Sequence, residues 1–396
     1  MVQLSLCMIV KDEAQTLTRC LKSVQGLVDQ MVVVDTGSQD RTVAIAQALG
    51  AQVEHYAWNN DFAAARNYSL QYAQGDWILV LDADEIFLES QVAALRALLQ
   101  NPRHLVVNLV RQEVGASQSP YSLVSRVFRR HPDLTFSRPY HAMVDDQVNT
   151  LRRQEPDWQV VTLSQVAILH GGYQQATILQ KSKFDRARQA MEQYLAQHPG
   201  DAYTCAKLGA LHGEAGNWAT GLELLHQGLN QPELEPDICY ELHYHLGLAS
   251  RHLHQTTEAM DHYERAIAQD ILPFLKLGAY NNLANLYQAQ GDLDQAQALY
   301  QQTLTIDPNF ATGYYNLGMV KKARGDVYGA MASYQTALRH NPNHAQTYQN
   351  LGVILLKLGQ VQASLQAFGQ AIQLHQQQGN GAEAQRLRQT LAELGF

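Results

Sequence analysis

WILVLDADEIF, residues 77–87, sets an apolar run directly against an acidic one. Ile78, Leu79, Val80 and Leu81 are apolar at every position, the pattern of a buried parallel strand. Asp82, Asp84 and Glu85 follow at once. A solvated polar turn would account for three acids in four residues. Yet Asp82 and Asp84 lie two apart at the end of a buried strand, so both carboxylates reach one rim. Two such charges about 4 Å apart repel by roughly 4 kcal/mol at an effective dielectric near 20, enough to raise a pKa unless a cation intervenes. Hard oxygen donors of this kind suit Mg²⁺ or Mn²⁺. Spacing alone leaves both readings open, polar turn and metal seat.

The surrounding text has the same grammar. LSLCMIV (Leu4–Val10) leads to a helical pattern through Leu17, Leu21 and Val24, and MVVVD (Met31–Asp35) leads to RTVAIAQALG. AQVEHYAW leads to FAAARNYSLQYAQ, and the opening stretch leads to SQVAALRALLQ. This alternation predicts a parallel α/β sheet covered by helices on both faces, with ligands bound at the carboxyl ends of the strands. The acids gather at those ends: Asp12 and Glu13, then Asp35, Asp61, Asp82 and Asp84. From His104 to Tyr173 the runs HLVVNLV, SLVSRVF and VVTLSQVAIL predict further strands, with loops that cover the site. A helix from about Ala176 to Gln197 closes this half.

Beyond Ala202 the chain repeats itself. Leu208-Gly209 recurs as Leu246-Gly247, Leu283-Ala284, Leu317-Gly318 and Leu351-Gly352, in steps of 38, 37, 34 and 34 residues. Helix-breaking glycines (Gly216, Gly291, Gly325, Gly359) and small-plus-aromatic pairs (Ala259 and Tyr263, Ala296 and Tyr300, Ala330 and Tyr334) recur in step, and Pro308 and Pro342 end two of the units. The period resembles the tetratricopeptide repeat, a helix pair of 34 residues. The resemblance implies a stacked helical solenoid of about five repeats with GAEAQRLRQTLAELGF as a capping helix.

Composition narrows the function classes. Thirty-seven acidic residues against 29 basic ones give a formal charge of -8, and no Lys/Arg block tracks a phosphate backbone, so nucleic acid is not an expected partner. The four cysteines (Cys7, Cys20, Cys205, Cys239) have neither CxxC nor zinc spacing and are expected in the core. With no long apolar stretch, no membrane span is expected and a cytoplasmic location is. The histidines of HYH (243–245) and HLH (252–254) stand two apart on predicted helices, on different faces, and are read as surface or groove residues.

MIVKDEA, VVVDTGSQDRT, NDFAAARN and LDADE, in this order and spacing, resemble the family 2 glycosyltransferases of the GT-A fold over roughly residues 1–175. The expected organisation is a GT-A nucleotide-sugar-binding domain at 1–175, a connecting helix at 176–201, and tetratricopeptide repeats at 202–396. The resemblance implies an inverting transfer of a hexosyl or N-acetylhexosaminyl group from a uridine-diphosphate sugar, with Mn²⁺ or Mg²⁺ as cofactor. By the same resemblance Val10, Asp12, Glu13, Asp35, Arg66, Asp82, Ala83 and Asp84 bind the donor. Asp84 ligates the metal, Asp82 meets the ribose or the metal's water shell, and His170 completes the metal shell. Asp35 accepts from the uracil.

Each of these has an ordinary structural reading as well: Asp61 and Asp40 as helix caps, Arg66 as an ion-pair partner of Asp61 or Asp84, His170 as a strand-end histidine. Two departures stand out. Thr36 follows Asp35 where many members have a second Asp, and Ala142 stands where the family often has Glu after His141. The general base is left among His141, Asp145 and Asp146. The repeats are expected to hold a protein, peptide or saccharide acceptor, or a second copy of the chain.

Other classes fit less well. KDEA after the first strand replaces the GxGxxG of a dinucleotide-binding fold, and neither a GxxxxGK loop nor a nucleophile elbow occurs. A nucleotidyltransferase would carry Gly-rich text at the first loop. A scaffold with a decayed site is the remaining alternative, with Ala142 in its favour and the intact DxD and Asp35 against it.

Overall fold

A computed structural model describes residues 2–116, 118–140, 142–171 and 178–396, with side chains in the connecting helix described from Phe184 on. The first half alternates as its sequence dictates: β1 (Leu4–Val10), α1 (Leu17–Val24), β2 (Gln30–Asp35), α2 (Thr42–Ala48), β3 (Gln52–His55), α3 (Phe62–Leu70) and β4 (Trp77–Val80). After the acidic run come β5 (Glu85–Phe87), α4 (Val92–Leu99), β6 (His104–Glu113), β7 (Tyr121–Arg129), α5 (Asp145–Gln154) and β8 (Gln159–His170). The short helix α5 lies in a segment whose sequence reads as strands and loops.

One eight-stranded sheet has the order β3-β2-β1-β4-β7-β6-β8-β5. The first four strands are parallel, β7 runs antiparallel to β4, and β6 pairs parallel with β8. Alternation of side chains along the strands feeds two cores. Leu4, Leu6, Met8 and Val10 of β1, with Trp77 and Leu79 of β4, meet Leu17, Leu21, Leu95 and Leu99 of α1 and α4. Cys7, Ile78 and Val80 face the other way, with Ala63 of α3 and Val148 and Leu151 of α5. Each fully buried aliphatic side chain contributes about 1.5–3 kcal/mol, which is why these runs are pinned as strands rather than surface loops.

Strand β5 lies at the far end of the strand order, yet four residues separate it from β4. A flat sheet would put the two about 19 Å apart, beyond the roughly 17 Å that the link could span. The sheet therefore curls. Register shifts interrupt β6 against both neighbours, at Leu109/Val110 and Val110/Arg111 toward β8 and at Val107/Leu109 toward β7, the kind of irregularity that bends a strand.

The second half is helical: α6 (Ile178–Gln197), α7 (Ala202–Glu214), α8 (Trp218–Leu229), α9 (Pro236–His252), α10 (Thr256–Ile267), α11 (Leu277–Gln290), α12 (Leu293–Ile306), α13 (Ala311–Ala323), α14 (Val327–His340), α15 (Ala345–Lys357), α16 (Val361–Gln377) and α17 (Gly381–Glu393). Helices pair because the repeated glycine admits an aromatic ring. An added Cβ on Gly247, Gly318 or Gly352 would stand 2.6, 2.6 or 3.0 Å from the rings of Tyr263, Tyr334 and Phe368. Asp292 and Asp326 start α12 and α14 by accepting from the amides of Gln295 and Gly329. The chain divides into two compact units, Met1–Ile238 and Cys239–Phe396, so the helix pair α7/α8 belongs to the same unit as the sheet.

Candidate active site

The acidic rim forms where β4 ends. Glu85 is fully buried; its carboxylate accepts from the backbone amide of Asp82 at 2.9 Å and from Arg111 of β6 at 2.9 Å. That bond folds the acidic run back on itself and fixes where its side chains point. Asp82 accepts from Arg66 Nη2 at 2.8 Å and from Arg126 Nη2 at 2.6 Å. Burial would raise the Asp82 pKa, but the Arg126 and Arg66 guanidiniums outweigh it and hold the carboxyl well below the usual range. The cation that relieves this carboxylate is thus a pair of arginines. Arg66 pairs with neither Asp61 nor Asp84, the partners its sequence context suggests, and its buried Nε finds no acceptor among the described residues.

Asp84 has a different partner. Its Oδ2 lies 3.2 Å from His170 Nε2, and His170 Nδ1 lies 2.5 Å from Glu113 Oε2. The strand register puts these groups together, because His170 stands opposite Glu85 in β5 and opposite Glu113 in β6. Hydrogen bonds to Asp84 and Glu113 push the His170 pKa up to about 10. Arg111 Nε stands 2.8 Å from Glu113 Oε1 and donates to the Ser122 hydroxyl, which itself donates to Glu113, closing the network.

Among the described residues no group of three or more His, Cys, Asp or Glu side chains is placed to hold a metal ion. Asp84 and, once an ion displaces its Nε2 proton, His170 nevertheless offer one oxygen and one nitrogen donor 3.2 Å apart, with Glu113 behind the imidazole in the way carboxylates orient metal-bound histidines. An oxygen and a nitrogen donor side by side fit a divalent ion.

The loops after β1 and β2 are tied to each other. Asp12, at φ 56°, accepts from the amide of Gln39 at 2.7 Å and donates its own amide to Ser38. Glu13 donates its amide to Thr42 and accepts from the Thr16 hydroxyl. The Val10 carbonyl accepts from the Thr36 amide and hydroxyl, so Thr36 locks the two strand ends together. Asp35 is buried and accepts from the amides of Gly37 and Ser38, with His55 Nδ1 at 3.5 Å. Asp40 takes the amides of Thr42 and Ala14. Asp61 caps α3, accepting from Ala64 at 2.9 Å, and Ala83 is a core residue.

Of the three base candidates, His141 lies outside the described residues. Asp145 opens α5 and accepts from the Ser125 hydroxyl at 2.6 Å; burial raises its pKa. Asp146 accepts from Ser137 and from Arg138 at 3.1 Å. Ala142 packs against the second core. Glu113, Arg111 and Arg126 are site residues that sequence reasoning missed. The signal that could have found them is a charged residue inside an otherwise apolar strand, as Arg126 stands beside Val127 and Phe128.

Comparison with known proteins places this geometry. Glycosyl transferase family 2 matches residues 5–161, and tetratricopeptide repeat families match 278–310, 311–344 and 333–366. A TPR repeat-containing protein of Synechococcus elongatus is 44% identical over 308 residues, 78% of this chain and 76% of that protein. An uncharacterized glycosyltransferase of Rickettsia bellii is 25% identical over 202 residues, 48% of this chain and 67% of that one. The crystal structure of MamA protein aligns at 25% identity over 42% of this chain and 88% of that chain, with a TM-score of 0.35. A glycosyltransferase domain is thus joined to a repeat array. The chain belongs to glycosyltransferase family 2 and carries C-terminal tetratricopeptide repeats. None of the described helices is long and apolar enough to cross a membrane.

Proposed function

We propose that the protein is a metal-dependent, inverting glycosyltransferase that uses a uridine-diphosphate sugar and glycosylates a peptide or protein acceptor. The observation that carries this reading is the line Asp84, His170, Glu113 at the carboxyl end of the sheet, next to a second carboxylate already neutralised by arginine. A divalent ion held at Asp84 and His170 would offset the charge that builds on the diphosphate as the glycosidic bond breaks. Asp35 and the tied loop of Asp12 and Glu13 would hold the uridine, with the backbone at Ala83 beside the ribose. Arg66 and Arg126 would keep Asp82 ionised and fixed, so that the rim does not rearrange when the donor enters.

In the transfer, the acceptor's nucleophilic atom forms the bond to the anomeric carbon from the face opposite the diphosphate, and the uridine diphosphate departs. Asp145 would take the acceptor's proton. It is half-buried with a raised pKa, the condition under which a carboxylate serves as a base nearer neutral pH. Asp146 is already committed to Arg138. The repeats would present the acceptor.

Calorimetric titration of uridine diphosphate with and without Mn²⁺, on the wild type and on Asp84→Asn, tests the reading. Metal-dependent binding that disappears in the variant supports it. No binding to the wild type in either condition would shift the weight to a scaffold whose repeats bind a partner.

A further inference from the structure

Arg138 lies between β7 and α5 with a side chain 7% exposed and φ 69°, a left-handed conformation that side chains larger than glycine adopt only where their surroundings over-determine it. What determines it is a clasp. Arg138 Nη2 donates both to Asp146 Oδ1 on α5 at 3.1 Å and to Asp201 Oδ2 at 2.8 Å. Asp201 is the residue that caps α7, its other oxygen accepting from the Thr204 amide at 2.8 Å. The guanidinium also lies over the rings of Tyr203 of α7, at 4.8 Å, and Tyr194 of α6, at 5.8 Å.

The neighbouring residues are pinned in the same direction. Tyr140 meets Phe62 of α3 edge-on at 5.6 Å and shares a core with Ala187 and Met191 of α6 and Leu208 of α7. On the other side of α5, Asp145 reaches back to Ser125 of β7, the residue before the Arg126 that holds Asp82. Asp145 and Asp146 are consecutive in the first turn of α5, so anchoring one sets the direction of the other.

We propose that the helix pair α7/α8, read from sequence as the first repeat, is a working part of the transferase, with Arg138 as the positioning residue through which α7 fixes the first turn of α5 and thereby aims Asp145. This deepens the function proposed above and rests on the reading of Asp145 as the acceptor-side base. The repeat half does more than present an acceptor: its first pair holds catalytic geometry in the sheet domain.

The test uses the full chain and Asp201→Ser. Serine caps a helix about as well as aspartate, so the start of α7 is kept while the clasp to Arg138 is lost. Hydrogen exchange should quicken roughly 10-fold or more at the Ser137 and Met143 amides, which bond to each other's carbonyls, and in the first turn of α5, while the α7 amides stay protected. Turnover, read as uridine diphosphate released as water takes the sugar of uridine-diphosphate glucose or uridine-diphosphate N-acetylglucosamine, should lose roughly 10–100-fold in kcat with donor KM unchanged. Because one nitrogen makes both bonds, Arg138→Lys should recover part of what Arg138→Met loses. Unchanged exchange at Ser137 and Met143 in Asp201→Ser, or equal loosening throughout α7, would overturn the proposal. If the wild type neither binds uridine diphosphate nor releases it from either donor, the function proposed above falls, and the exchange comparison still decides whether the clasp exists.

Discussion

Arg126 Nη2 and Asp82 Oδ2 face each other at 2.6 Å, one from β7 and the other from the acidic run after β4. The pair ties an antiparallel strand of the second half of the sheet to the rim laid down by the first. Replacing Arg126 with Met leaves Asp82 with Arg66 alone and Glu85 with Arg111 alone. Asp82 is about a third exposed, which limits the penalty. Arg126→Met should cost about 1–3 kcal/mol in urea denaturation, and adding Asp82→Asn should cost less than the sum of the two. Full additivity would show that the pair does not interact energetically.

Glu113 touches no donor site directly, yet it holds the imidazole that faces Asp84. Glu113→Gln should weaken Mn²⁺-dependent nucleotide binding by about 10–100-fold, as loss of a carboxylate behind a metal-bound histidine does. Calorimetry on that variant checks it, and wild-type affinity would remove His170 from the metal shell.

Glycines inside the repeat helices divide into two kinds. A Cβ on Gly318 would lie 2.6 Å from the buried ring of Tyr334, whereas a Cβ on Gly369 would meet nothing within 4 Å. Gly318→Ala should destabilise by about 1–3 kcal/mol through overpacking. Gly369→Ala should stabilise by about 0.5–1 kcal/mol through helix propensity. Thermal melts of the two variants should therefore move in opposite directions.

Burial pushes the Cys7 thiol up to about 12 and the Cys205 thiol to about 11, and raises Cys20 and Cys239 as well. Since the thiolate is the reactive form, the native protein should react slowly with Ellman's reagent at pH 8 and faster as pH rises. All four cysteines should react promptly once the chain is unfolded in guanidinium. A fast native thiol at pH 8 other than the half-buried Cys239 would contradict the burial of Cys7, Cys20 and Cys205.

How much of this was legible in the sequence depends on the range of the interaction. Strands β1, β2 and β4 and their terminal acids could be read because continuous apolar runs have few other uses, and the repeats because Leu-Gly recurs at a fixed step. Glu113 could not be read as a site residue, and Arg126 only as a charge out of place in an apolar strand. On an isolated strand such residues look solvent-facing, and only the pairing of β6 with β7 and β8 turns them inward. The short helix α5 was hidden for a similar reason: it is polar, with only Val148 and Leu151 buried, and it is held by Ser125 and Arg138 rather than by an apolar stripe. Nor did the repeat pattern reveal that Asp201 serves two masters, α7 through one oxygen and Arg138 through the other.

The short link from Val80 to Glu85 acts as a chord drawn across a bent sheet. Its ends belong to strands that are not neighbours, so the number of residues between them sets how far the two ends of the sheet close. One residue inserted beside Ala83 would move β5 a step along β8, turn the buried Phe87 toward solvent, and part Asp84 from His170. The length of the acidic motif is therefore as much a constraint on this site as the carboxylates it carries, and a one-residue insertion or deletion there should be as damaging as Asp84→Asn.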